Sequence, residues 1–201
     1  MCFHHSRRPA SSDSLRQSGS ACSGRPSTCT REIPPIRWNK SVDRAYNSNA
    51  AQQVTKSVGL PLDVEIRPWN EDDFPAIQHL SRAEGWPSPV DRPADAIRAW
   101  RGSWPALVAV HDGVVVGFLR AVSDGAVTTY VAEILVAPEW RGCRVGVALL
   151  AVAQHLCAGT RLDLLATGQS RTFYDRVGFR SFPGYRRSWA EFESLLGDES
   201  S

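Results

Sequence analysis

Between Ile134 and Leu150 the chain reads ILVAPEWRGCRVGVALL, a buried-strand pattern that enters a glycine-containing turn and then a helical stretch. A helix start presents unpaired backbone N–H groups and a partial positive charge, which is the chemistry that binds phosphate. Gly142 and Gly146 would let a ligand approach the backbone closely, and Arg141 and Arg144 add full charges. The run is neither a Walker loop, which requires GxxxxGK[ST], nor a dinucleotide fingerprint, which requires GxGxxG. Taken alone, it is either a phosphate site or an ordinary strand-to-helix turn.

Other reactive side chains are sparse. Cys143 stands in the turn beside two arginines, a setting that favours a thiolate. The five histidines are dispersed: His4 and His5 near the start, His79 and His155 in helical stretches, His111 in a hairpin. They form no ligand cluster in the sequence, so no metal is expected.

The strand, turn and helix resemble the GNAT superfamily of N-acetyltransferases. Its hallmark is an L-x-V-x-P segment followed by R-G-x-G-x-G/A. Here these read Ile134-Leu135-Val136-Ala137-Pro138, then Arg141-Gly142-Cys143-Arg144-Val145-Gly146, continued by Ala148-Leu149-Leu150. The family landmark F-Y-E-x-x-G-F follows as Phe173-Tyr174-Asp175-Arg176-Val177-Gly178-Phe179. Arg144 stands where the family has the middle glycine of its loop. With helical dihedrals it would keep the backbone donors in place, and its guanidinium could add a phosphate contact. The resemblance covers residues 62–187, roughly.

What the resemblance implies is direct transfer of an acetyl group from acetyl-CoA to an amine, in a ternary complex. The pyrophosphate is expected on the N–H groups of Cys143, Arg144, Val145, Gly146, Val147 and Ala148. The pantetheine arm would pair with the Leu135–Val136 backbone, and the Val136 N–H would polarise the thioester carbonyl, an effect typically worth ~3 kcal/mol. Cys143 occupies a variable position of the motif, so its backbone N–H matters rather than its thiol. Tyr174 matches the tyrosine that stabilises or protonates the leaving thiolate, its alternative being a packing role beside Phe173. An alkylammonium of pKa ~10.4 is only about one part in a thousand neutral at pH 7, so its proton needs an acceptor. Glu133, the acid in the strand leading to Val136, is the candidate base, or else a solvated edge carboxylate. Trp86, Trp100 and Trp104 fall where GNAT proteins build the acceptor pocket, near Glu84, Asp91 and Asp95. Aromatic walls with carboxylates would suit an amine cation, and tryptophans also serve as core. A protein N-terminus or lysine is the alternative acceptor, and a CoA-binding module without catalysis is the alternative function. A homodimer is compatible with the resemblance.

These residues need a scaffold, and the patterning supplies one. Val64 to Arg67 alternates as a first strand, and EDDFPAIQHLSRAEG places acids ahead of an apolar spacing near three, which is a helix. A Pro-rich elbow at Trp86 to Pro89 leads to a second helical run, ADAIRAWRGSW. Two β-branched runs joined by Asp112-Gly113 form a hairpin, and TTYVAEILV adds a third strand. VALLAVAQHL is a helix, RLDLLAT a buried strand and SRTFYDRVGF a short helix stopped by Gly178. Strand fragments and a tail helix near Glu191 to Leu196 follow. The expected fold is α/β, a GNAT-like mixed central sheet flanked by helices.

The 201 residues are 42% hydrophobic and 22% charged with a net charge of +2, which suits one domain of usual size. Residues 1–60 hold 9 Lys or Arg against 3 Asp or Glu and eleven serines, whereas residues 61–201 hold 14 against 18. The first segment therefore reads as a disordered tail, with a transit peptide or a start displaced to Val54 as its alternatives. Residues 61–190 read as the acetyltransferase domain and 191–201 as a C-terminal tail. The acidic balance of the domain argues against nucleic acid as a partner. Without a CxxC pair or a span of ~20 apolar residues, no disulfide framework or membrane segment is expected, and a cytoplasmic location follows.

Overall fold

A computed structural model describes residues 46–197. Residues 1–45 of the expected tail lie outside the described residues. Residues 46–60, assigned to the same tail, instead belong to the compact unit. Asn47 caps helix α1 (Ser48–Ser57) by accepting from the Ala50 N–H, and Ala51 and Leu60 are buried in the core. The helix escapes a sequence reading because its apolar face is small: Ala51, Val54 and Val58 among polar residues. A chain beginning at Val54 would lack the cap and the first half of this helix.

Strands β1 (Val64–Pro68), β2 (Ala106–His111), β3 (Val114–Ser123) and β4 (Thr128–Val136) form an antiparallel meander. Strand β5 (Arg161–Leu164) joins it in parallel to β4, after helix α5 (Val145–Leu156) crosses over. Asp112 and Gly113 both take positive φ, as the tight hairpin turn between β2 and β3 requires.

Each face of the sheet buries its own cluster. Helices α1 and α5 cover one, with Leu107, Leu119, Val131, Leu149 and Val152 at its centre. The other lies under α2 (Phe74–Ala83) and α4 (Pro93–Arg101), which the short α3 (Ser88–Asp91) connects, and centres on Phe74, Ile77, Trp100 and Phe118. After β5 come α6 (Arg171–Arg176) and α7 (Trp189–Gly197).

The entry to α2 is fixed by a capping box, in which the Asn70 side chain accepts from the Asp73 N–H and Asp73 accepts from the Asn70 N–H. Arg67 grips both Asp73 oxygens at 2.7 Å. Burial of Asp73 would raise its pKa, but the Arg67 fork and the Asn70 N–H outweigh it and hold the carboxyl below its ordinary value. Asp73 therefore adds stability that is full above the unfolded pKa of ~3.9 and is lost as pH falls through the depressed native value. Asp73→Asn is expected to cost about 2 kcal/mol at pH 7. Urea titrations should show that difference shrinking toward pH 2, and a constant difference would contradict this account.

Two expectations about the later chain are corrected. Strand β5 is not buried but alternates exposed and half-buried positions, because β4 is its one partner among the described residues. Among the described residues no strand forms after Gly178: residues 179–188 carry no regular structure, and Pro183, Gly184, Arg186 and Arg187 lie in a run that is exposed throughout.

Candidate active site

The site begins with a defect in the sheet. Strands β4 and β5 pair only from Thr128↔Arg161 to Val131↔Leu164, and beyond Val131 the strand runs on to Val136 with no neighbouring strand on that side among the described residues. The cause lies one residue past the last pair. Against β3, Arg120 pairs with Glu133 but Ala121 with Val131, so Ala132 is an extra residue, a β-bulge that bends its strand. The bulge also resets which side chains share a face. Val131, Ile134 and Val136 pack toward α1 and α5, while Leu135 packs toward α2 and α4.

Along a strand, successive backbone groups point to opposite edges. The Ala137 N–H donates to the Val116 carbonyl at 2.9 Å, and a Cβ placed on Gly117 would lie 3.0 Å from the Leu135 oxygen. Leu135 and Ala137 therefore face β3, and the backbone of Val136 faces the gap between β4 and β5. Of the expected Leu135–Val136 pair, Val136 offers the open edge. Its carbonyl accepts from Arg141 Nε at 3.1 Å.

Beside this gap α5 begins. It has neither a side-chain cap nor an acid in its first turn. Cys143 N–H is engaged by the Trp140 carbonyl and Ala148 N–H by the Arg144 carbonyl, which leaves the N–H groups of Arg144, Val145, Gly146 and Val147 without a partner among the described residues. Such an array, with the positive end of the helix dipole behind it, fits a phosphate group. Gly146 keeps the approach open: a Cβ there would lie 3.3 Å from Phe173 Cζ and 3.6 Å from Val136 Cγ2. Gly142 takes φ +86 at the turn.

Arg144 is not helical. Its φ of 64 and ψ of 5 are left-handed, the conformation expected of the glycine it replaces, which costs a non-glycine residue about 1–2 kcal/mol. Its guanidinium is directed at the Val58 carbonyl, 3.3 Å away, and Arg141 Nη2 pairs with Glu84 at 2.5 Å. Both arginines thus hold the turn to neighbouring helices, and the anion donors are backbone groups.

Tyr174 lies on α6, half-buried against the α5 face, with its ring edge-on to Phe173 at 5.1 Å and Phe179 at 5.5 Å. Burial pushes its phenol pKa above the ordinary value, so it remains a proton-bearing donor through neutral pH. Glu133 projects from the opposite face. Arg120 holds its two oxygens at 3.0 and 3.1 Å and also donates to Ser103 Oγ. Neither Arg120 nor Ser103 is signalled by the sequence, because the register that sets Arg120 opposite Glu133 depends on the bulge. Tyr174 and Glu133 lie on different faces of the sheet.

The three tryptophans do not form one wall. Trp100 is 1% exposed and packs edge-on against Phe118 and Trp69, a core position that offers no surface to a ligand. Trp86 is half-buried on the same cluster, and Trp104 packs against the other. Glu84 is paired with Arg141, and Asp95 with both Arg92 and Arg98. Among the described residues Cys143 is exposed and Cys157 buried, both as free thiols, no group of side chains could hold a metal ion, and no helix is long and apolar enough to cross a membrane.

Comparison with known proteins agrees with this fold. The acetyltransferase (GNAT) domain family matches residues 103–181. A GNAT-family protein of known structure from Xanthomonas campestris, assigned as an acetyltransferase, is 28% identical with a TM-score of 0.54, over 68% of this chain and 99% of that one. One from Deinococcus radiodurans R1, likewise assigned as an acetyltransferase, is 25% identical with a TM-score of 0.53, over 64% of this chain and 90% of that one. The fold is shared with the aminoglycoside N-acetyltransferase AAC(6')-Iy in complex with CoA, at 22% identity and a TM-score of 0.51 over 62% of this chain and 94% of that one. No curated protein matches the sequence.

Proposed function

We propose, for a chain that carries a GNAT acetyltransferase domain and is an acetyl-CoA-dependent enzyme, that it transfers the acetyl group directly to a primary amine of a small molecule. The observation that carries the reading is the open Val136 edge beside the uncapped start of α5, one site that suits both a strand-like arm and a pyrophosphate. A CoA-bound aminoglycoside N-acetyltransferase of the same fold lends support. A peptide acceptor would need an open groove over residues 84–104. That segment is filled by α3 and α4, tied back to α2 by Gln78 Nε2 donating to the Pro89 carbonyl at 2.7 Å.

Acetyl-CoA supplies an activated thioester. The N–H groups of Arg144 to Val147 would hold its pyrophosphate, and the Val136 N–H would stabilise charge on the carbonyl oxygen as the amine attacks. The carbon–nitrogen bond forms, the carbon–sulfur bond breaks, and the ammonium proton leaves to Glu133 or through water. Tyr174 would donate a hydrogen bond to the departing sulfur, which ends as the thiol of CoA by taking, through solvent, the second proton that the amine nitrogen gives up on becoming an amide. Trp86 would border the acceptor.

Incubation with acetyl-CoA and a panel of amines, following free thiol, tests the reading. Turnover with small amines supports it. Turnover with peptides alone would favour a protein N-terminus or lysine, and binding without turnover would favour a regulatory module. Lack of CoA binding would remove the site altogether. Glu133→Gln is expected to lower kcat about 10- to 100-fold near neutral pH, with the loss shrinking as rising pH deprotonates the amine. A loss independent of pH would instead indicate that the Arg120 pair matters only for structure.

A further inference from the structure

Arg144 breaks a local rule twice, in backbone and in side chain. A long cationic residue holds a left-handed conformation at the cofactor turn, and its side chain runs away from the turn toward α1. Nη1 donates to the carbonyl of Val58, the residue that caps the C-terminal end of that helix. Carbonyls at a helix end lack intrahelical partners and carry partial negative charge, so a guanidinium is favoured there. The stem of the side chain lies over Gly59, where a Cβ would be 3.4 Å from Arg144 Cδ and 3.6 Å from Nε. Gly59 itself has φ +71, so a glycine suits the end of α1, and the arginine stem passes within van der Waals reach of it. Below this contact, Ala51, Val54, Val58 and Leu60 pack into the same cluster as Val145 and Leu149. Helix α1 lies outside residues 103–181, the segment that matches the family.

We propose that Arg144 is a positioning residue that ties the anion-binding turn to α1, so that affinity for acetyl-CoA depends on a helix outside the matched segment. The tie holds the turn in its left-handed shape from the side chain, where a glycine would reach that shape by freedom alone. Binding at the turn and order at the end of α1 are then reciprocal, since coupling between two sites acts equally in both directions. The inference rests on acetyl-CoA binding at this turn.

Calorimetric titration of the full chain with CoA, together with amide hydrogen exchange with and without CoA, tests both parts. Wild-type binding establishes the reading on which the inference rests, and its absence would overturn both. Given binding, CoA is expected to slow exchange of the Val58, Gly59 and Leu60 amides, which donate back into α1. Arg144→Gly should raise the Kd about tenfold, within the usual range of coupling, and abolish that slowing. Gly59→Val crowds the stem of Arg144 and strains the end of α1 at its φ of +71, without touching the turn. It should also raise the Kd and the KM for acetyl-CoA several-fold, with kcat at saturation within about twofold. Arg144→Lys should recover part of the affinity. An unchanged Kd in Arg144→Gly would overturn the proposal. So would a raised Kd there with an unchanged one in Gly59→Val, because that pair of results would mean the guanidinium reaches the phosphate directly.

Discussion

Gly146→Trp is expected to abolish measurable binding of CoA, a loss of at least about a hundredfold, or ~3 kcal/mol. The first atom of the new side chain would already lie 3.3 Å from Phe173 Cζ and 3.6 Å from Val136 Cγ2. The indole must then turn outward, over the N–H groups of Arg144 to Val147 and the open edge of Val136, the surfaces proposed for the pyrophosphate and the pantetheine arm. Helix propensity is not the obstacle, since tryptophan is better tolerated than glycine within a helix. Thermal unfolding of the variant separates a blocked site from a collapsed fold. Gly146→Ala serves as a second check: its Cβ needs a shift of a few tenths of an ångström from the Phe173 ring, and it should weaken CoA only a few-fold. A folded tryptophan variant with undiminished affinity would remove the α5 turn from the site.

The turn was legible because its chemistry is written in residue type: glycines at Gly142 and Gly146, an apolar strand before them and an apolar helix after. The meander was legible for a similar reason, since Asp112-Gly113 fixes a hairpin wherever it stands between β-branched runs. What could not be read were features in which residues far apart decide together. The bulge at Ala132 follows from the pairing of β4 against β3, and it alone sends Val131 and Leu135 to opposite faces despite their even spacing. The left-handed Arg144 contradicts local preference and is supported by Val58 and Gly59, some 85 positions earlier. Trp100 was assigned to a pocket by position in the chain, but its burial against Phe118 depends on where α4 packs. Helix α1 was hidden by composition: a polar, serine-containing segment becomes ordered once Ala51 and Val54 find α5.

Tyr174→Phe is expected to lower kcat about 10- to 100-fold while leaving the affinity for acetyl-CoA near its original value. The ring should keep its edge-on contacts with Phe173 and Phe179, so the substitution removes little besides the hydroxyl. That hydroxyl has no hydrogen-bond partner among the described residues, so its loss strands none of their groups. A hydrogen bond to a charged acceptor contributes about 1.5–3 kcal/mol, which sets the size of the effect if the acceptor is the departing thiolate. Ordinary values of ~10 for the phenol and ~8.5 for the thiol already make full proton transfer uphill. Burial raises the phenol further, so hydrogen-bond donation to the sulfur is favoured over complete transfer, and the hydroxyl should remain a donor across the neutral range. The pH profile of kcat should therefore show no decline near neutral pH that disappears in Tyr174→Phe. Steady-state rates from pH 6 to 10, with a CoA titration of each protein, measure both quantities. Equal turnover by the two proteins would assign Tyr174 to packing alone.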